Sequence, residues 1–253
     1  ILRYDPASGK LLGVFVAPGQ GGLKEPQGLA FGPDGNLYVA SKDVKTGNSQ
    51  VVRFDGKTGQ FLDIFVFATT NKLHRALGLA FGPAPLNDLF VTSYDDNTVI
   101  RFSGSTGAYL ADYVSAHSGG LRGPSGIAFD AAGYLYVGST KGSIAAGDQP
   151  DAVLRYKPLT GNFDKVFVAP GSGGLDGPTA LAFDGSGRLY VASDALGYSF
   201  TTPTLSSDSS QDNRVLRYKA DGTFDSVFIN RGSGELRGPS GLAFGPSGNV
   251  FVT

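Results

Sequence analysis

The chain has 253 residues, 41% of them hydrophobic, and its 21 Lys and Arg nearly balance its 22 Asp and Glu. A net charge of −1 gives no electrostatic basis for binding nucleic acid, and the sequence holds no apolar run long enough to span a bilayer. The lack of cysteine excludes disulfides, thiol nucleophiles and thiolate metal sites. We therefore expect no nucleic-acid partner and no membrane span.

A repeat of about 50 residues runs through the whole chain. Each unit contains, in order, V-L-R-Y, F-V, G-L-A-F and L-Y-V patterns or close variants. The stretch from the repeat arginine to the phenylalanine of G-L-A-F keeps a nearly constant length, as in Arg53–Phe81 and Arg155–Phe183. The stretch from that phenylalanine to the next arginine varies, from the short Phe81–Arg101 to the long Phe183–Arg217. Insertions therefore collect in one connection. The units begin at Ile1, Val51, Val99, Val153 and Val215.

The patterns predict four short antiparallel strands in each unit, because partly alternating apolar runs are separated by turn signals such as D-G-N. We name the strands a (G-L-A-F), b (L-Y-V), c (V-L-R-Y) and d (F-V). Four such strands in every repeat predict an all-β fold, a β-propeller of four-stranded blades. The chain opens with c and d and ends with a and b, so the terminal halves are expected to close a fifth blade. A truncated six-bladed propeller is the alternative.

The motif P-x-G-L-A-F-G-P-D-G-N-L-Y-V-A-S, followed by V-x-R-Y-D, resembles NHL repeats and the related propellers of the gluconolactonase group. This resemblance covers essentially the whole chain and implies one propeller domain over residues 1–253. Propellers of this kind include lactonases, lyases, carbohydrate binders and protein-interaction modules. The resemblance therefore predicts the fold and leaves the function open.

Strand a is expected to begin nearest the axis, on the face that carries the variable b-to-c connections. The residues at that point form a small, weakly polar set that we predict to bind ligand at the pore mouth. They are Gln27, Leu77, Ser125, Thr179 and Ser240.

The only two histidines, His74 and His117, both lie in d-to-a connections and are the candidate catalytic residues. Their alternative interpretation is two exposed loop side chains. The repeat arginines recur in every unit, which favours a structural pairing with carboxylates over a ring of binding sites.

The longest b-to-c connection, residues 194–214, is a candidate recognition loop through Tyr198 and Phe200. Oxygen-bearing side chains in the same connection could coordinate calcium, although ordinary turn chemistry also explains them. These calcium candidates are Asp194, Asp208, Asp212 and Asn213.

The sequence thus favours a binding or scaffolding propeller that uses the face with the long loops and takes a protein or carbohydrate partner. The first alternative is a metal-dependent hydrolase or lyase, similar to lactonases, with its site at the axial mouth. The second is a multivalent carbohydrate-binding propeller. Because the chain lacks Met and opens inside a strand pattern, it reads as a processed product or fragment, and we expect a secreted or periplasmic location.

Overall fold

The computed structural model describes residues 1–4, 11–42, 48–67, 72–140, 151–194, 213–233, 236, 238–244 and 250–252. These residues form β-strands joined by turns and by three short 3-10 turns, and none of their helices is long and apolar enough to cross a membrane. They group into two compact units, residues 1–115 and 116–253, which we describe one at a time. The single domain predicted from the sequence stays a prediction.

The first unit contains one two-stranded sheet and two four-stranded antiparallel sheets, with strand orders β1-β2, β3-β4-β5-β6 and β7-β8-β9-β10. In both four-stranded sheets the order follows the predicted sequence a, b, c, d. The strands are β1 (Leu2–Tyr4), β2 (Leu11–Val14), β3 (Leu29–Phe31), β4 (Leu37–Lys42), β5 (Ser49–Phe54), β6 (Phe61–Val66), β7 (Ala76–Phe81), β8 (Leu89–Ser93), β9 (Thr98–Phe102) and β10 (Tyr109–Val114).

The second unit repeats this plan with the four-stranded sheets β11-β12-β13-β14 and β15-β16-β17-β18 and the two-stranded sheet β19-β20. Its strands are β11 (Pro124–Phe129), β12 (Leu135–Ser139), β13 (Ala152–Tyr156), β14 (Phe163–Val168), β15 (Pro178–Phe183), β16 (Leu189–Ser193), β17 (Arg214–Tyr218), β18 (Phe224–Ile229), β19 (Leu242–Phe244) and β20 (Val250–Val252).

The predicted fold class is confirmed: the protein is an all-β propeller of four-stranded antiparallel sheets. The two-stranded sheets β1-β2 and β19-β20 hold the c, d and a, b strands that a fifth blade requires. Each belongs to its own unit, so the closure of a blade by these halves stays a prediction.

Aromatic side chains join adjacent sheets within each unit. The ring of Tyr38, on strand b of the first four-stranded sheet, packs edge-on against Phe65 of its own sheet at 4.9 Å and against Phe81 of the next sheet at 4.8 Å between centroids. Such contacts add to the burial of the rings themselves. The same arrangement joins Tyr136 to Phe167 and Phe183, and Tyr190 to Phe228 and Phe244.

Four repeat arginines on strand c pair with carboxylates of their own sheets, as the sequence predicted. The guanidinium of Arg53 binds both oxygens of Asp63, and this hydrogen bonding raises the pKa of Arg53. The remaining pairs are Arg101–Asp88, Arg155–Asp164 and Arg217–Asp225.

The G-G-L segments form 3-10 turns that the sequence analysis did not predict. In Ser118–Gly120, Gly119 has φ 64°, and a Cβ there would lie 2.0 Å from a ring carbon of Phe163. The hydroxyl of Tyr156 donates to the carbonyl of Ser118 at 2.9 Å. Glycine is therefore required both by the left-handed backbone and by the aromatic ring packed over it.

We expect Gly126→Ala to destabilise the fold by about 1–3 kcal/mol, because a Cβ there would lie 2.6 Å from the Cα of Ala180 and 2.7 Å from the carbonyl oxygen of Thr179. The matched control is Gly185→Ala, whose Cβ meets no atom within 4 Å and whose φ is not positive. Urea unfolding of both variants measures the difference. Equal urea midpoints for the two variants would show that β11 and β15 can move apart without loss of stability.

Asp184 is the basis of a pH prediction. Burial disfavours its charge, but hydrogen bonds from Ser186 and Arg188 outweigh burial and lower the pKa of Asp184 to about 2. A lowered folded-state pKa contributes stability that is present above the ordinary carboxyl pKa and is lost as the pH falls. We expect the free energy of unfolding of wild type to exceed that of Asp184→Asn by on the order of 2 kcal/mol at pH 6. This difference should shrink as the pH falls toward 3. Urea unfolding across this range tests it, and a pH-independent gap would contradict it.

Candidate functional site

A serine at the end of each complete strand b holds the d-to-a connection that runs beside it. The hydroxyl oxygen of Ser139 accepts the backbone N–H of Arg122 and donates to the carbonyl of the same residue, both at 3.1 Å. We call this arrangement the serine clamp. It recurs as Ser41 with Lys24 and as Ser193 with Asp176. Ser93 likewise accepts the backbone N–H of His74, and its hydroxyl oxygen lies 3.1 Å from the His74 carbonyl.

The clamp separates a constant backbone from variable side chains. The four serines are buried, and so is the leucine that precedes each clamped residue: Leu23, Leu73, Leu121 and Leu175. The side chain at the clamped residue is exposed in every case and differs in chemistry between sheets. These four clamp positions are Lys24 and His74 in the first unit, and Arg122 and Asp176 in the second. They lie at the clamp end of their sheets, where strand b ends and strand a begins.

The residue after each clamp position has a left-handed backbone. In the second unit it is a glycine, Gly123 at φ 49° and Gly177 at φ 58°, and Gly238 at φ 52° occupies the equivalent sequence position of the last repeat. In the second unit the preceding b-to-c connection supports this backbone, because Asp151 Oδ2 accepts the Gly177 N–H and Asn213 Oδ1 accepts the Gly238 N–H. In the first unit the same position holds Glu25 at φ 47° and Arg75 at φ 53°. A charged residue there costs about 1–3 kcal/mol of backbone strain, a cost that concentrates at functional sites.

The second four-stranded sheet departs furthest from the repeat. His74 Nδ1 lies 2.8 Å from Asp96 Oδ2, and the Ser93 hydroxyl donates to the same carboxylate oxygen. Arg75 pairs with Asp95 at 3.4 Å and lies over the ring of Tyr94, with the guanidinium carbon 5.1 Å from its centroid. The turn and the d-to-a connection are thus linked by side chains.

Three of the five predicted pore-mouth residues are buried. The Ser125 hydroxyl donates to the carbonyls of Gly138 and Pro178, and the Thr179 hydroxyl donates to those of Ala192 and Pro239. Leu77 is 1% exposed. These hydroxyls therefore connect neighbouring inner strands of the second unit. Gln27 is half-buried and Ser240 is exposed. Ligand binding by the five residues stays a prediction.

The other predicted site residues are divided between the two units and the residues outside the described ranges. His117 is exposed beside the 3-10 turn Ser118–Gly120 of the second unit, and His74 belongs to the first unit. Asp194 and Asn213 are the described calcium candidates, and Asn213 already accepts the Gly238 N–H. The remaining predicted recognition and calcium residues, Tyr198, Phe200, Asp208 and Asp212, lie outside the described ranges.

A calcium site was a prediction from the sequence. Within the described ranges, no group of three or more His, Cys, Asp or Glu side chains lies close enough to hold a metal ion. Two of the four candidates lie outside those ranges, so calcium binding stays a prediction.

No family model matches the chain, and no curated protein matches it by sequence. One similar solved structure is described as a gluconolactonase; it has 17% sequence identity and a TM-score of 0.65, and the match covers 97% of this chain and 74% of that one. A second is the nidogen/laminin complex, with 18% identity and a TM-score of 0.62, and the match covers 91% of this chain and 72% of that one. A third is regucalcin from Agrobacterium tumefaciens, described as a calcium-binding protein. It has 19% identity and a TM-score of 0.52, and the match covers 78% of this chain and 62% of that one.

These likenesses establish the class of the protein. It is a β-propeller, and the resemblance to NHL-repeat and gluconolactonase-like propellers is confirmed at the level of the fold. At identities of 17% to 19% the shared fold does not carry a shared activity.

We expect Ser139→Ala to cost about 1–3 kcal/mol of unfolding free energy and to speed amide hydrogen exchange at Arg122, because both hydrogen bonds of this buried clamp are lost. The exposed Ser105→Ala is the control, with an expected change within about 0.5 kcal/mol. Unchanged exchange at Arg122 would mean that the clamp does not hold the connection.

Proposed function

We propose that the protein is a binding or scaffolding propeller whose clamp end contacts a protein or carbohydrate partner. The serine clamp is the single observation that supports this most. It fixes the backbone with buried serines and leucines while each clamped side chain is exposed and different. Such an arrangement presents specific groups on a rigid support, which lowers the entropy lost on binding.

The residues with a left-handed backbone also favour the clamp end as the recognition surface. Glu25 and Arg75 replace glycine at a position where glycine is favoured, and both side chains are exposed. Because this choice costs stability and a glycine is available in the repeat, we infer that these charges serve recognition.

The test compares two double variants of the full chain. Arg122→Ala/Asp176→Ala removes the clamp-position side chains of the second unit. We expect it to weaken partner binding by about tenfold or more, because charged groups at a rigid contact surface contribute strongly to affinity. The readouts are quantitative pull-down from extracellular extract and a glycan array.

The control variant is Lys157→Ala/Lys219→Ala, which removes exposed charges of the second unit after strand c, at the opposite end of the sheets. It is expected to bind as wild type does. Equal losses in the two variants, or wild-type binding by the first, would count against the clamp end as the recognition surface.

The second candidate function is a metal-dependent hydrolase or lyase, which the likeness to a gluconolactonase and to a calcium-binding regucalcin favours. Elemental analysis of protein purified without chelator tests it. About one equivalent of calcium or another divalent ion, together with lactone hydrolysis that chelation abolishes, would favour this enzyme over the binding protein. A multivalent carbohydrate binder, the third candidate, predicts steep avidity on the glycan array.

A further inference from the structure

The clamp of the second four-stranded sheet differs from the other three in where its hydroxyl proton goes. Ser41, Ser139 and Ser193 donate to the carbonyl of the residue that they clamp, at 2.7–3.1 Å. In Ser93 the nearest acceptor is instead Asp96 Oδ2, at 2.5 Å, while the carbonyl of His74 lies at 3.1 Å. A carboxylate thus lies between a buried serine and the histidine at the clamp position.

This geometry fixes the tautomer of His74. A carboxylate offers only acceptors, so the ring nitrogen that faces it, Nδ1 at 2.8 Å from Asp96, must donate its hydrogen. In the neutral imidazole the other nitrogen, Nε2, then carries the lone pair. Ser93 holds the carboxylate from its other side, so His74 has the arrangement of a base that is oriented by a second group.

The oriented imidazole is accessible. The His74 side chain is 49% exposed. The b-to-c connection beside it is the short turn 94–97, whereas the much longer segment 194–213 separates β16 from β17. Arg75, the next residue, places a guanidinium at this end of the sheet despite a left-handed backbone. A small molecule can therefore approach the exposed imidazole of His74.

We propose that His74 is a general base for the hydrolysis of small carboxylic esters, and that Asp96 is its positioning residue. As a water oxygen bonds to the ester carbonyl carbon, Nε2 takes one water proton. The tetrahedral intermediate then expels the alcohol oxygen as its bond to carbon breaks, and the protonated imidazole returns the proton to that oxygen. The products are a carboxylic acid and an alcohol, with no other reactant. This activity is independent of the proposed partner binding.

The kinetic test uses p-nitrophenyl acetate with the full chain. We expect His74→Ala to lower kcat/KM by on the order of 100-fold, because a positioned base contributes at least that much. His117→Ala is the matched control, since it removes the only other histidine, and it is expected to keep the wild-type rate. Added imidazole should restore hydrolysis by His74→Ala more than by His74→Ala/Asp96→Asn. Wild-type rates in His74→Ala would overturn the proposal.

A spectroscopic test does not depend on activity. His117→Ala leaves a single imidazole, so long-range proton–nitrogen NMR spectra report the tautomer of His74 alone. We expect a hydrogen on Nδ1 in this background and a mixed tautomer after Asp96→Asn, with the amide spectrum of the fold unchanged. A hydrogen on Nε2 in the presence of Asp96 would overturn the positioning role.

Discussion

In three of the four-stranded sheets, the tyrosine at the second position of strand b packs against two phenylalanines, one from its own sheet and one from the next, so that its ring joins two sheets. Tyr136, with ring centroids 4.7 Å from both Phe167 and Phe183, is the example in the second unit. The close approach explains why Gly126 of the adjacent strand a has no room for a side chain. It also brings Ser125 within hydrogen-bonding distance of Pro178. The aromatic packing and the small residues of strand a therefore depend on each other, since a side chain at position 126 would push the two sheets apart.

The same strand b connects the core to the surface. The clamp serine follows the tyrosine within this strand, as Ser139 follows Tyr136, so the element that is most firmly buried also holds the exposed connection. Rigid support of this kind is useful for recognition, because little order has to be gained when a partner binds. In these sheets the backbone geometry is repeated and the chemistry of the clamp position is not.

Solved propellers of unlike function share this fold with the chain at identities of only 17% to 19%. The scaffold is therefore compatible with several activities, and the residues that differ between repeats are the ones that carry information about function. In the first unit these include His74, Arg75 and Asp96, where glycine is replaced and a carboxylate joins the clamp.

The sequence by itself determined the four-stranded sheets, because strand alternation and turn chemistry are local and repeat at a nearly constant spacing. It also indicated the structural role of the arginines, since a residue found in every repeat meets the same neighbours in each. Asp63 was not identifiable as the partner of Arg53, because that choice depends on the register of two strands.

Only the tertiary structure decided the site. Ser93, His74 and Asp96 belong to three segments, and their contacts depend on how a d-to-a connection lies beside the end of strand b. The burial of Ser125 was likewise invisible in the sequence, because the carbonyl that its hydroxyl binds belongs to Pro178, in a neighbouring sheet and far along the chain. Local patterns specify strands, whereas hydrogen bonds between sheets require the positions of atoms that are distant in the chain.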